Sequence, residues 1–342
     1  MTAKYFRYLL QFKRPSGTSR GVLYKKETFI LEISENDKKG IGECAIFRGL
    51  SFDDRPDYEE KLQWLCENIQ QDTEYLKGEL KAFPSIWFGY EQAVLNLKHG
   101  DNLYLPSQFT KGDTPIIING LIWMGDIGYM EEQIQDKLDQ GFHCIKLKIG
   151  VDWESEHDIL QKLRKKFSKE KLELRVDANG GFVTDEAKVV LQQLADLQIH
   201  SIEQPIKAGN WKDMAELCAQ SPTPIALDEE LIGIIELPEK KELLQTIKPQ
   251  YIILKPSLVG GFTGSDEWIS LAEELGIKWW ITSALESNIG LNAIAQYTYT
   301  KNNNMPQGLG TGGLFTNNFH SELELQGEEL FFKNSSFKID RF

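Results

Sequence analysis

The chain has 342 residues, and 38 Lys+Arg against 51 Asp+Glu leave a formal net charge of −13. That acidic balance argues against a broad phosphate-binding surface, so no nucleic acid partner is expected. Hydrophobic residues at 41% and charged residues at 26% exclude disorder, collagen and coiled coil as descriptions of the whole, and the length suits two domains, or a barrel with a smaller companion.

Residues 1–105 read as a small α+β domain. Thr28–Ser34 (TFILEIS) is strand-like, and turn signals around Asn36–Gly40 lead into a hairpin partner over Gly40–Ala45. Asp57–Leu80 and Ser85–His99 follow helical spacing: Trp64, Leu65 and Ile69, then Ala93, Val94 and Leu97, recur at the apolar positions. From Thr114 short apolar runs alternate with amphipathic helices. The runs are Pro115–Asn119, Cys144–Ile149, Leu172–Asp177, Ser201–Glu203, Pro224–Asp228, Tyr251–Lys255, Ile277–Thr282 and, more weakly, Gln307–Leu309. Between them fall helices near Met130–Gln140, Glu154–Phe167, Glu186–Leu194, Trp211–Gln220, Pro238–Thr246, Gly264–Leu275 and Asn288–Thr300. The alternation, seven or eight times over, predicts an α/β fold, a TIM-like parallel (β/α) barrel over 106–315. A doubly wound open sheet is the alternative, but its GxGxxG turn is missing. After Phe315 the texture is β-like again, and the tail 316–342 is expected to pack back on the first domain. Trp123, Trp153, Trp279 and Trp280 read as core.

Cys44, Cys66, Cys144 and Cys218 form no CxxC pair and read as small buried apolar residues. The N-terminus has no uninterrupted apolar stretch of the kind a signal peptide needs, and no window approaches the ~20 apolar residues of a membrane span. No membrane partner and a reducing cytoplasmic location are expected.

Five runs carry ionisable residues at or near their ends: Lys146 and Lys148, Asp177, Glu203, Asp228, and Lys255. From Lys148 the intervals are 29, 26, 25 and 27 residues, close to the roughly 30 of one βα unit. Each therefore falls at the same point of a successive strand, and in a barrel that point is the C-terminal mouth, where active sites are built. Three converging carboxylates repel unless a cation lies between them. Oxygen ligands without His or Cys point to Mg²⁺, with Mn²⁺ as the alternative. Lys146 and Lys148 share one strand face, and Lys255 would lie across the barrel from Lys148. Two ammonium groups and a divalent cation in one cleft would depress each other's pKa values and give a neutral lysine base. The expected reaction class is α-proton abstraction through a metal-stabilised enediolate.

The set KLK (Lys146–Lys148), RVDAN (Arg175–Asn179), IEQP (Ile202–Pro205), ALDE (Ala226–Glu229) and LKPS (Leu254–Ser257) resembles the muconate-lactonising subgroup of the enolase superfamily. SALESNIG (Ser283–Gly290) and GLGTGGLFTNN (Gly308–Asn318) are similar to the o-succinylbenzoate synthase family within it. That resemblance implies a capping domain over 1–105 and the tail with a (β/α)7β barrel between, and a small carboxylate substrate, 2-succinyl-6-hydroxy-2,4-cyclohexadiene-1-carboxylate, dehydrated to o-succinylbenzoate in menaquinone biosynthesis. It implies Asp177, Glu203 and Asp228 as metal ligands, with Glu229 the alternative at the third position; if Asp228 is the ligand, Glu229 would point away or pair with a lysine. Lys148 would be the base and then the acid, and Lys255 would stabilise the enediolate from the opposite face. Lys146 would hold the substrate carboxylate or tune Lys148, Arg175 would orient the site, and Asn179 would hydrogen-bond substrate or metal shell. The Ser283 region and Gly310–Gly312, with Thr311 between, would present backbone N–H groups to the succinyl carboxylate. Ser16–Val22 and Phe47–Phe52 would be the mobile specificity loops.

Among related chemistries, a mandelate-racemase type needs a His near the seventh strand, which His99, His143, His157, His200 and His320 all miss. A dipeptide epimerase would show Asp-x-Asp after the eighth strand, where GLGTGG stands. N-acylamino-acid racemase uses the same two lysines and metal and stays open as the alternative. A non-catalytic barrel has no need of three carboxylates and two lysines.

Overall fold

The structure is a computed structural model that describes residues 1–18 and 21–333. Part of the Ser16–Val22 segment and the tail beyond Lys333 lie outside the described residues. The capping domain opens with β1 (Thr2–Thr18), β2 (Gly21–Glu35) and β3 (Lys38–Cys44), antiparallel in that order. The run Thr28–Ser34 is thus the far half of a longer strand. β1 has no counterpart among the sequence expectations, because its residues alternate between exposed and half-buried and give little period-two contrast. β2 and β3 meet through Asn36 and Asp37, both at positive φ (47° and 63°), with Glu35 paired to Lys38. This is the two-residue turn that matches strand twist.

The helices α1 (Tyr58–Asn68), α2 (Thr73–Glu79) and α3 (Pro84–His99) follow. The span expected as one helix, Asp57–Leu80, breaks where the Asp72 carboxylate accepts the Glu74 N–H (2.9 Å) and starts a new helix. α3 lies tight on β3: a Cβ on Gly42 would stand 1.9 Å from the Gly89 carbonyl oxygen, so glycine is required there. Phe29, Leu31, Leu62, Ile86 and Trp87 fill the core between sheet and helices.

The chain then runs β4 (Ile116–Ile117), β5 (Gly120–Ile122), α4 (Ile127–Asp139), β6 (Cys144–Lys148), α5 (Trp153–Lys166), β7 (Glu173–Asp177), α6 (Thr184–Asp196) and β8 (Ser201–Glu203). It continues through α7 (Trp211–Gln220), β9 (Ile225–Leu227), α8 (Leu237–Ile247), β10 (Tyr251–Leu254), α9 (Gly261–Glu274), β11 (Lys278–Ile281) and α10 (Asn288–Thr300), and ends in the hairpin β12 (Leu323–Gln326) and β13 (Glu329–Phe332). Seven parallel strands stand in the order β11-β10-β9-β8-β7-β6-β5. Gln307 and Gly308 close the ring: they bridge Ile118 and Thr282, with Gln307 N–H donating to Ile117 O (2.9 Å) and Gly308 N–H to Ile281 O (2.8 Å). The fold is a (β/α)7β barrel. Its first strand is β5; Ile116–Ile117, expected in that role, instead pairs with β13. The tail divides. Phe315 bridges Phe12 and Asn317 accepts the Gln11 N–H (2.8 Å) on the capping sheet, whereas the hairpin joins β4.

Two capping-domain carboxylates dock the domains by serving as N-caps for barrel helices. Glu91 on α3 accepts Phe262 N–H (2.6 Å) and Thr263 N–H (3.0 Å) at the start of α9. Glu43 on β3 accepts Ser287 N–H (3.0 Å) and Gly290 N–H (2.9 Å) at the start of α10. Each satisfies helix donors that have no intrahelical partner. Among the described residues no helix is long and apolar enough to cross a membrane, and all four cysteines are free.

Candidate active site

The parallel register sets Lys148 beside Asp177 and Asp177 beside Glu203 at the ends of β6, β7 and β8. Past these ends Asn179 (φ 45°) and Gln204 (φ 40°) take the left-handed conformation and turn the chain outward. Gln204 Oε1 accepts Asp228 N–H (3.2 Å) and Glu230 N–H (3.3 Å), fixing the end of β9. Lys146 and Lys148 both donate to Asp177 Oδ2, at 3.1 and 2.9 Å. Lys146 also reaches Glu203 Oε2 (2.6 Å), and Lys148 reaches Asn179 Oδ1 (2.7 Å). Lys255 pairs with Asp228 and lies 3.8 Å from Glu203 Oε1. Three lysines and three carboxylates thus converge, none more than 9% exposed.

Burial works to lower the Lys146 ammonium, but Asp177 and Glu203 outweigh it and hold the group above its ordinary range. Lys255 behaves likewise under Asp228 and Glu203. Burial works to raise Asp177, yet Lys146, Lys148 and Lys255 hold it far below the usual carboxylate range. Asp228 goes the other way: burial, with Glu229 and Glu203, holds its carboxyl well above the usual range although Lys255 opposes this. The depression expected of the lysines is one that a divalent cation in the cleft would bring; without it, the carboxylates hold Lys146 and Lys255 up.

The carboxylates do not form a closed cage among the described residues. Lysine ammoniums lie between them and relieve their repulsion. The donor set still fits a hard divalent cation. It is all oxygen, and Glu203 Oε1 is buried without a hydrogen-bond partner, an unsatisfied acceptor of the kind a cation completes.

Above the charges opens a cavity of about 670 Å³. Lys146, Lys148, Asp177, Asn179 and Lys255 line one part. Ser283, Ala284, Leu285, Gly308, Gly310 and Thr311 line another, and Phe47, Leu50, Leu121 and Trp123 give an apolar wall. Trp123, read as core, is also cavity wall, because it directly follows β5 at the barrel mouth. Asn119 and Leu121 were not singled out from sequence; their position around the first barrel strand was the available signal.

Three sequence expectations are corrected. Arg175 does not reach this cavity. Its guanidinium turns to the opposite end of the barrel, where it donates to Glu173 (2.7 Å) and Pro306 O (2.9 Å) and stacks 4.4 Å from the Trp280 ring. Of the two arms expected for Glu229, pointing away is not what is seen: its Oε1 accepts Asn179 Nδ2–H (3.1 Å), and its charge also helps hold the Lys255 ammonium up. The N–H groups of Ser283 and Ala284 are already used, donating to Gly308 O (3.1 Å) and Glu286 Oε2 (2.6 Å), since closing the barrel consumes the first. What Ser283 offers is its hydroxyl, 2.6 Å from the Thr311 hydroxyl.

A capped (β/α)7β barrel with lysines and carboxylates at its mouth defines an enzyme of the enolase superfamily. A family model described as "Enolase C-terminal domain-like" matches residues 129–331, and one described as "MenC, N-terminal domain" matches residues 1–97. The o-succinylbenzoate synthase of Desulfotalea psychrophila is 44% identical over 96% of this chain and 98% of its own length. The crystal structure of MenC from the same organism superposes with a TM-score of 0.87 at 41% identity, covering 97% of this chain and 99% of that one. An N-succinylamino acid racemase of Thermus thermophilus is 30% identical over 46% of this chain and 40% of its own length. The chain belongs to the o-succinylbenzoate synthase (MenC) family of the enolase superfamily, and it is a lyase. Enzymes of this superfamily use a divalent metal.

Proposed function

We propose that the o-succinylbenzoate synthase reaction runs in this cavity with Lys148 as base and acid, Lys255 opposite it, and Asp177, Glu203 and Asp228 holding Mg²⁺, with Mn²⁺ as a substitute. The observation that carries the reading is that Lys148 and Lys255, on β6 and just after β10, open onto one cavity backed by three buried carboxylates. When bound, the cation supplies positive charge against which the substrate carboxylate can take up an electron pair. Neutral Lys148 removes the proton from C1 of 2-succinyl-6-hydroxy-2,4-cyclohexadiene-1-carboxylate. The resulting electron pair then expels the C6 hydroxyl, which takes the proton back from the Lys148 ammonium and leaves as water, giving the aromatic ring. Asn179 Oδ1 and Asp177 Oδ2 aim Lys148. Lys255 stabilises the enediolate by charge and by a cation–π contact on the far face. Lys146 orients the ring carboxylate, and the Ser283 and Thr311 hydroxyls, with the Gly310 turn, receive the succinyl carboxylate. Phe47, Leu50 and Trp123 exclude water from the ring. We place the enzyme in the cytoplasm, in keeping with its four free cysteines.

The test is loss of the diene absorbance on mixing protein, Mg²⁺ and substrate, with and without chelator. Chelator-sensitive turnover above ~10⁴ M⁻¹s⁻¹ in kcat/KM is expected of an evolved enzyme. No turnover by a Mg²⁺-binding protein would overturn the reading. A second activity, racemisation of N-succinylamino acids, is favoured by the two lysines facing one cavity, since 1,1-proton transfer needs a group on each side of Cα. Deuterium exchange at Cα of such a substrate tests it.

A further inference from the structure

Behind the cavity wall lies a buried set of charges that the dehydration does not use. Glu286 is fully buried, and its two oxygens serve different segments. Oε1 accepts the Ser257 hydroxyl (2.6 Å), and Oε2 accepts the Ala284 N–H (2.6 Å). Ser257 is two residues beyond Lys255, on a turn fastened by Leu258 N–H to Lys255 O (2.8 Å). Ala284 and Leu285 are cavity wall. One carboxylate therefore ties the turn that carries Lys255 to the loop that follows β11. Leu285 sits in the left-handed region (φ 63°), a conformation a bulky residue keeps only where its surroundings impose it. The bond from Glu286 to the neighbouring amide is one such constraint.

The counter-charge comes from the other domain. Lys26 on β2 is 6% exposed, and its ammonium has no hydrogen-bond partner among the described residues. Burial pushes this ammonium down, and the carboxylates that oppose the shift are Glu43 and Glu286. Burial likewise pushes Glu286 up, and Lys26 opposes it. A buried cation without hydrogen bonds is tolerated only in the field of buried anions. Glu43 meanwhile caps α10, which begins two residues after Glu286. The packing of the capping domain on the barrel is what sets Lys26 among these groups.

We infer that Glu286, counter-charged by Lys26 across the domain interface, is a positioning residue that sets the Lys255 turn against the Ser283–Leu285 wall and so ties catalytic geometry to the seating of the capping domain on the barrel. The inference rests on the roles given above to Lys255 and this wall. Its test compares Glu286→Gln, Lys26→Met and the double variant with the unaltered chain, by steady-state kinetics, melting temperature and hydrogen exchange at the Ala284 amide. Glu286→Gln is expected to lower kcat roughly 10–100-fold, the scale of small misplacements at a reacting centre, with KM changed less than about threefold. Ala284 should exchange faster while the melting temperature stays near that of the unaltered chain. Lys26→Met leaves two carboxylates uncompensated, and the double variant, which removes Lys26 and the Glu286 charge together, should recover part of its loss. Glu286→Gln with kcat within about twofold, or a double variant no better than Lys26→Met, would overturn the inference. If Glu286→Gln does not fold, Ser257→Ala removes one arm of the tie and should give the same kcat loss at unchanged KM; full activity there would also overturn it. If the unaltered chain shows no turnover, the proposed reaction fails. The exchange readout then still decides the tie, for or against.

Discussion

Arg175 and Asp177 stand two residues apart on one face of one strand, yet they belong to opposite ends of the barrel with opposite economies of charge. At the mouth, Asp177 shares an oxygen between two lysines, Glu203 keeps one oxygen without a partner, and the cluster sets three buried lysines against three buried carboxyl groups. At the floor, Arg175 finds a carboxylate, a carbonyl and an indole face, and closes the barrel. The mouth leaves a carboxylate oxygen open to a cation, whereas Arg175 Nη2, also without a hydrogen bond, belongs to a guanidinium already paired with Glu173. The floor spends its charge on stability, as expected of the N-terminal end of such barrels.

The comparison breaks most readily at Lys148. Lys148→Ala should lower kcat by ~10²–10⁴, the worth of a positioned proton transfer, with little change in melting temperature. More than about a hundredth of the original rate would show that the base lies elsewhere. Next in size is the cation. Mg²⁺ at about 100 times its Kd should stabilise the fold by about 2.7 kcal/mol, read as a rise in melting temperature, and Asp177→Asn should abolish that rise together with activity. A rise that survives the substitution would place the ion outside this triad.

Arg175 tests the other end. Arg175→Met should cost about 2–3 kcal/mol by breaking a largely buried pair and a stacked contact, while kcat of the folded protein stays within about threefold. Unchanged stability with a tenfold or greater loss of kcat would return Arg175 to the mouth, where resemblance to the family had put it.

That misplacement marks how far the sequence can be read. Polar residues at the ends of apolar runs, spaced by about one βα unit, made Lys148, Asp177, Glu203, Asp228 and Lys255 legible together with the barrel. Period two gives the face of a strand but not the depth along it, so Arg175 was assigned the right face and the wrong end. The engaged N–H of Ser283 depends on a closing strand of two residues, too short to show a pattern, and that of Ala284 on the Glu286 carboxylate two residues further on. Glu43 and Glu91 cap helices 244 and 171 residues away, and no local spacing encodes such pairs. Trp123 was read as core because an aromatic after an apolar run is usually that, and it is in fact both.

The smallest effect expected also lies at the floor. His200 packs on Tyr251 and Trp280, with Nδ1 2.9 Å from the Ser201 hydroxyl. Burial lowers its pKa from the ordinary 6.5 to about 4; Glu173 opposes the shift, and Arg175 and Lys278 add to it. Between those values the unfolded chain binds the proton and the folded chain does not. The stability His200 contributes is therefore complete above about pH 6.5 and is lost as pH falls toward 4. At pH 5 the loss should be about 1–2 kcal/mol, allowing for partial exposure of the ring. His200→Gln should flatten the decline in melting temperature between pH 7 and 4.5 while leaving kcat/KM at pH 7 within about twofold. An undiminished decline would assign the acid sensitivity to the buried carboxylates of the mouth, and the division between a stabilising floor and a reactive mouth would then fail for pH although it held for Arg175.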